Sequence, residues 1–144
     1  MNTLLKKILL SASLAFALAT PGLAQQFPTK TVKIVVPYPP GGFNDTLARI
    51  SSDKLGKIWN QSVVVENKPG GNTTIGNTYV AKSPADGYTI LISPLPFSAL
   101  PGLYGSKLPY DALKDFQALV WAGSAQNALV TRKGLNIKSA KELV

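Results

Sequence analysis

The segment Val35-Val36-Pro37-Tyr38-Pro39-Pro40-Gly41-Gly42-Phe43-Asn44-Asp45 constrains the chain most, because a strand end, a turn and a helix start meet within it. The run Thr31-Val32-Lys33-Ile34-Val35-Val36 is β-branched and apolar, which predicts a buried strand over 31–36. Pro37, Pro39 and Pro40 end it, since proline brings no N–H to a ladder. Gly41 and Gly42 permit backbone angles and close approaches that a Cβ blocks. Asn44 and Asp45 are helix-capping types, and 46–59 then reads as a helix. Its expected inner face holds Leu47, Ile50 or Ser51, Leu55 and Ile58, with Lys54 and Lys57 outside. A strand, a glycine turn and a helix N-terminus in that order aim N–H groups and the positive end of a helix dipole at one spot. Such a spot suits a carboxylate or a phosphate. The same residues also serve as a tight strand–helix joint with no ligand at all.

The pattern recurs. Ser62-Val63-Val64-Val65-Glu66-Asn67 predicts a second strand, apolar as strands buried on both faces are. Lys68-Pro69-Gly70-Gly71-Asn72-Thr73-Thr74 is a second Pro/Gly loop, followed by a short helix over about 75–82 and a turn at Ser83-Pro84-Ala85-Asp86-Gly87. Tyr88-Thr89-Ile90-Leu91-Ile92-Ser93 is the third strand, and Pro94-Leu95-Pro96-Phe97 leads from it into a looser stretch over 98–105. Strands alternating with helices predict an α/β, doubly wound, mainly parallel sheet. Its ligand edge lies at the carboxyl ends of the strands, which gathers the loops 37–45, 68–74 and 93–97. Farther on, Asp111 to Phe116 reads as a helical turn, and 117–123 and 127–131 read as two more strands. Ser139 and Glu142 have capping-box spacing, so a helix is expected to start there.

The first 24 residues are not expected to join the fold. Lys6 and Lys7 precede a short apolar run, Thr20-Pro21-Gly22 breaks it, and Gly22-Leu23-Ala24 supplies the small residues of a cleavage site. This predicts a secretory signal peptide cut after Ala24, hence a periplasmic location. No cysteine follows the run, so no lipid-modified cysteine is expected. Losing two lysines and no acid lowers the formal charge from +8 to +6 over 120 residues. The remaining lysines are scattered and do not interleave with aromatic residues, which argues against a nucleic-acid partner. The chain has no histidine, no cysteine and only seven acidic residues. A Ser–His pair, a cysteine nucleophile and a histidine-based zinc site are therefore unavailable within it, and the reading is of a non-enzyme without a cofactor.

Several ordered pieces carry a resemblance. They include Ile34-Val35-Val36-Pro37-Tyr38-Pro39-Pro40-Gly41-Gly42 with Asp45, Ala48 and Arg49, then Val65-Glu66-Asn67-Lys68-Pro69-Gly70 and Ile75-Gly76. Pro84-Ala85-Asp86-Gly87-Tyr88-Thr89, Leu108-Pro109-Tyr110-Asp111, Lys114-Asp115-Phe116 and Ser139-Ala140-Lys141-Glu142-Leu143 follow in order. The set resembles the tripartite tricarboxylate transporter solute receptors, also called Bug receptors. The resemblance implies a type II-like periplasmic binding protein of two α/β lobes joined by a hinge, about twice this length. Mapped onto this chain, it implies a signal peptide at 1–24, an incomplete first lobe over 25–125, and a hinge strand with the start of a second lobe over 126–144. The chain is thus expected to be truncated.

The implied ligand is a small organic carboxylate: a di- or tricarboxylate, an acidic amino acid or an aromatic acid. The implied partners are the membrane subunits of the tripartite transporter. The implied ligand-binding residues are Pro40, Gly41, Gly42, Phe43, Asn44 and Asp45, then Gly71, Asn72, Thr73 and Thr74, then Ser93, Pro94, Leu95 and Phe97. Two departures stand out. Thr73 and Thr74 replace a Gly-Asn pair common in the family, and Phe43 and Asn44 replace smaller residues, so Phe43 is expected to shape the pocket. Asp45 reads as a helix cap, or as a partner for a ligand amino group; Asn44 reads equally as cap or donor. Arg49 reads as half of a surface or interlobe ion pair, Glu66 and Lys68 as a surface pair, and Trp59 and Trp121 as packing residues. A receptor of this kind binds by closing two lobes on its ligand, so this chain alone is expected to bind weakly or not at all. A sensory binding protein uncoupled from transport and a non-functional fragment are the alternative readings.

Overall fold

The computed structural model describes residues 26–93, 95–126, 128–135, 137 and 139–143. The expected signal peptide and Pro94 lie outside the described residues. Three parallel strands, β1 (Val32–Val36), β2 (Val63–Asn67) and β3 (Thr89–Leu91), form a sheet in the order β2-β1-β3. Val32 pairs with Val63 and Val36 with Asn67 on one side; Lys33 pairs with Thr89 and Val35 with Leu91 on the other. Helix α1 (Phe43–Trp59) joins β1 to β2, α2 (Thr74–Ala81) joins β2 to β3, and α3 (Pro96–Tyr104) follows β3. The expected small α/β domain with a parallel sheet is what forms.

Side-chain alternation along β1 assigns the two faces. Ile34 and Val36 meet Ala48 of α1, and Tyr38, Val63, Val65 and Ile92 pack around them. Lys33 points the other way and donates to the Tyr79 hydroxyl of α2 at 2.7 Å. The helices therefore cover opposite faces. That follows from right-handed crossovers running first from the central strand to one edge and then back past it to the other. Because β1 is covered on both sides, Val32, Ile34, Val35 and Val36 are almost fully buried.

Several details differ from expectation. Helix α1 begins at Phe43, not at residue 46, with Gly42 at the N-cap position and no side-chain cap bond. Its inner face turns on Ala48, the small residue that lets the helix sit close to Ile34 and Val36. Ser52 hydrogen-bonds the Val63 carbonyl from the same side, while Ile50 and Ile58 are exposed. The looser stretch expected over 98–105 is mostly helix α3, despite Pro101 inside it. In a nine-residue helix one missing N–H removes a single bond, and burial of Leu100 anchors the segment.

The strands expected over 117–123 and 127–131 do not form among the described residues. Leu119, Val120, Trp121, Leu129 and Val130 are exposed there, so Trp121 is not a packing residue. Strand preference expresses packing against neighbouring strands, and no described strand lies beside these residues. The helix expected from Ser139 is one 3-10 turn, Ala140–Glu142, with the Ser139 hydroxyl 3.1 Å from the Glu142 carboxylate.

The short leader holds more structure than its polar composition indicates. Phe27 packs edge-on to Trp59 at 5.9 Å and against Tyr88 at 4.9 Å. The Thr29 N–H donates to the Tyr88 hydroxyl at 2.9 Å, and Lys30 pairs with Asp86 at 3.1 Å. The leader thereby ties the end of α1 to the start of β3.

Candidate functional site

In a parallel sheet all strands end at the same edge, so the loops after β1, β2 and β3 emerge side by side. Backbone bonds fix them there. The Lys68 N–H donates to the Val36 carbonyl at 2.8 Å, and the Ile92 N–H to the Val35 carbonyl at 3.0 Å. The first and second loops also touch directly through Gly76 in the first turn of α2. A Cβ on Gly76 would stand 2.8 Å from the Pro37 Cβ and 2.9 Å from the Lys68 carbonyl oxygen. Only glycine admits this approach.

The first loop turns at Gly41, whose φ of 95° lies in the left-handed region. The first α-helical bond runs from the Thr46 N–H to the Gly42 carbonyl at 2.9 Å. The N–H groups of Gly42, Phe43, Asn44 and Asp45 meet no acceptor among the described residues. Pro40, Gly41, Gly42 and Phe43 are exposed, and Asn44 is half-buried. The Phe43 ring is half-exposed, and a Cβ on Gly123 would come within 3.8 Å of its Cζ. The coil beyond Phe116 thus passes beside the first loop.

Asp45 is not the N-cap residue. It lies in the first turn of α1, with its side chain 4% exposed. Its Oδ2 accepts the Gly41 N–H and the Arg49 Nε–H, both at 2.9 Å. Its Oδ1 accepts Arg49 Nη2 at 3.1 Å and Asn67 Nδ2 at 2.9 Å. Foremost the Arg49 guanidinium, then the Gly41 N–H and the Asn67 amide, hold its carboxyl well below the usual carboxylate range, against the opposing effect of burial. Asn67 also donates to the Tyr38 carbonyl at 3.1 Å. The Arg49 ion pair is therefore internal to this domain.

The second loop runs through four consecutive residues of positive φ: Gly70 at 117°, Gly71 at 57°, Asn72 at 50° and Thr73 at 73°. The Thr74 N–H closes the turn on the Gly71 carbonyl at 3.1 Å, and the Thr74 hydroxyl donates to that carbonyl at 2.6 Å. Thr73 is the costly member, because a β-branched side chain crowds its own backbone in this region. Asn77 holds it: its N–H meets the Thr73 carbonyl at 3.1 Å and its Nδ2 meets the Thr73 hydroxyl at 3.2 Å. The same Nδ2 donates to the Tyr110 hydroxyl at 2.9 Å. Replacing Thr73 by glycine removes a strain of roughly 1–3 kcal/mol and gives up one hydrogen bond and some chain stiffness. The expected net result is a gain of about 0.5–1 kcal/mol, read as a Tm higher by a few degrees. A lower Tm would show that the Thr73 hydroxyl contributes more than the strain costs.

The third loop contributes Ser93 and Leu95, both exposed, while Phe97 turns into the domain. Its ring stacks with Tyr110 at 6.0 Å and meets Phe116 edge-on at 5.0 Å. Tyr110 thus links the third loop to Asn77, and through it to Thr73 of the second. Sequence reading missed this link and the Asp45–Asn67 bridge. It also missed the extent of the Glu66 cluster on the α2 face, where Lys33 at 2.8 Å and Lys68 at 2.7 Å share the carboxylate and Lys68 lies over the Tyr79 ring. The bond to Lys33, then that to Lys68, lowers the Glu66 pKa, and Lys33 is raised in return.

Two hollows lie elsewhere. One of about 760 Å³ is lined by Arg49, Lys57, Gln61 and the outer edge of β2; one of about 400 Å³ lies under the leader. Neither includes a residue of the three loops, whose exposed residues, Pro40 to Phe43, Ser93 and Leu95, form a rim apart from both. Among the described residues no cluster of three or more acids could hold a metal, and no helix is long and apolar enough to cross a membrane.

Residues 47–144 match the family model described as the tripartite tricarboxylate transporter family receptor. The chain belongs to this family. As a member of the tripartite tricarboxylate transporter receptors, it is 36% identical over 131 residues to protein BugT of Bordetella pertussis, a stretch covering 88% of this chain and 39% of BugT. It spans about two fifths of the length of the relatives it matches. Among solved structures it is similar to the periplasmic binding protein BugD, with 39% identity and a TM-score of 0.58, over 62% of this chain and 30% of that one. It is also similar to MatC from Rhodopseudomonas palustris, solved with bound malate, with 36% identity and a TM-score of 0.57, over 62% of this chain and 31% of that one. The family placement and the parallel α/β domain agree with the resemblance read from the sequence.

Proposed function

We propose that this chain forms the first lobe of a periplasmic solute-binding receptor that takes a small organic carboxylate on the rim made by its three loops. The observation that carries the reading is the start of α1. There the N–H groups of Gly42, Phe43, Asn44 and Asp45 have no acceptor among the described residues, beside a second loop that Gly76 holds against Pro37. A carboxylate placed there accepts several N–H bonds and meets the positive end of the helix dipole. Membership of a receptor family, and similarity to a protein solved with malate, support a dicarboxylate of that size. In this reading residues 25–125 form the lobe and 126–144 lead toward a second one. The bound solute passes to the membrane subunits of a tripartite transporter, and the chain performs no chemistry on it.

The rim is open to water, so binding by this chain is expected to be weak, with a dissociation constant of about 1 mM or higher. Titration of the protein with malate and with citrate, read by amide shifts, should give saturable responses in fast exchange, and glycerol should give none. Equal responses to glycerol and malate would sink the proposal.

A further inference from the structure

A buried carboxylate beside a site for anions needs a reason to be there. Asp45 stands within that rim with its side chain 4% exposed, and each of its oxygens is taken by two donors. Those donors come from three places: Gly41 in the first loop, Arg49 one turn on in α1, and Asn67 at the end of β2. Asn67 closes the arrangement twice more. Its Nδ2 reaches the Tyr38 carbonyl at 3.1 Å, and its Oδ1 accepts Arg49 Nη2 at 3.3 Å. The Gly41–Gly42 turn is thereby bound to the strand that begins the second loop through a single side chain.

The arrangement also sorts the N–H groups of the turn. The Gly41 N–H is consumed by Asp45, whereas the next four, from Gly42 to Asp45, have no described acceptor. The Arg49 fork neutralises the carboxylate, so an anion at the rim meets the N–H dipoles without a bare negative charge behind them. We propose that Asp45 is a positioning residue: it draws the Gly41 N–H inward, locks the turn to Asn67, and so sets the spacing of the Gly42, Phe43 and Asn44 N–H groups that receive the ligand. The part concerning ligand rests on the receptor reading above; the tether itself does not.

The test is amide hydrogen exchange on the whole protein, in the wild type and in Asp45→Asn. The amide of the variant sets an NH₂ group against donors. In the wild type, Gly41 is expected to exchange at least ~10-fold more slowly than its neighbour Gly42, as a hydrogen bond to a charged acceptor dictates. In Asp45→Asn, whose one neutral oxygen cannot serve all four donors, that protection should fall while the β1 amides of Ile34 and Val35 keep theirs, and malate affinity should fall at least ~10-fold. Equal exchange of Gly41 and Gly42 in the wild type overturns the tether, and that measurement needs no variant to fold. Loss of β1 protection together with Gly41 would show a merely structural role and overturn the positioning one. So would unchanged malate affinity once the Gly41 bond is gone. A wild type with a protected Gly41 and no response to malate would confirm the tether and sink the receptor reading instead.

Discussion

Replacing Gly76 by alanine is expected to lower the stability of the domain by about 1–2 kcal/mol, seen as a Tm reduced by roughly 5–10 °C. The new methyl group would stand 2.8 Å from the Pro37 Cβ, 2.9 Å from the Lys68 carbonyl oxygen and 3.0 Å from the Pro37 Cα. Pro37 follows β1 and Lys68 follows β2, and both contacts involve backbone or ring atoms that cannot swing aside. Relief therefore requires α2 to move off the loops. Alanine's better helix propensity returns up to about 1 kcal/mol, which is why the net loss is no larger. Gly76→Val, with two further methyl groups in the same place and no such propensity gain, should cost more. A Tm within a degree of the wild type in Gly76→Ala would mean that α2 does not press on the two loops.

Replacing Ile34 by alanine is expected to cost about 2–5 kcal/mol, measured by urea unfolding. Ile34 is 1% exposed on the central strand and packs with Ala48 of α1 in the core cluster. Alanine there leaves a void that the strand pairs on both sides keep from collapsing. For a small domain this is a large share of the total stability, so the variant should be partly unfolded in mild denaturant. Ile50 supplies the control. It lies on α1 but is exposed, and Ile50→Ala should change stability by no more than about 0.5 kcal/mol. Similar losses in the two variants would place the α1 interface on the wrong face.

Those two isoleucines also mark how far the sequence could be read. Ile34 belongs to a β-branched run ended by prolines, and local chemistry alone identifies it as buried strand. The strand character of β2 and the Pro/Gly loops were legible in the same way, which is why sheet direction and the shared loop edge could be read, but β2 is an edge strand with Val64 exposed and is not buried on both faces as its apolar run suggested. Ile50 shows the limit. Helical periodicity allowed it an inner position, yet the helix rotates toward Ala48 because a small residue permits the closer approach. Pro101 misled in the opposite direction, since a short helix tolerates one missing N–H when Leu100 is buried.

The candidate rim divides in the same way. Its glycines and helix start were readable from neighbours in sequence. The partners of Asp45 were not: Asn67 lies 22 positions away and reaches it only after β2 pairs with β1. Asn77 and Tyr110 are separated by 33 positions and meet only in the folded domain. The segment 117–131 shows the converse, because its β-branched and aromatic residues have strand character with no neighbouring strand among the described residues to express it.

The most direct measurement is a residue-resolved map of amide shifts as malate is added to the protein. The largest changes are expected on Gly42, Phe43 and Asn44, with smaller ones on Thr73 and Thr74 of the adjoining loop. Changes centred instead on Arg49, Lys57 and Gln61, around the hollow beside β2, would place anion binding elsewhere on this basic surface and contradict this expectation.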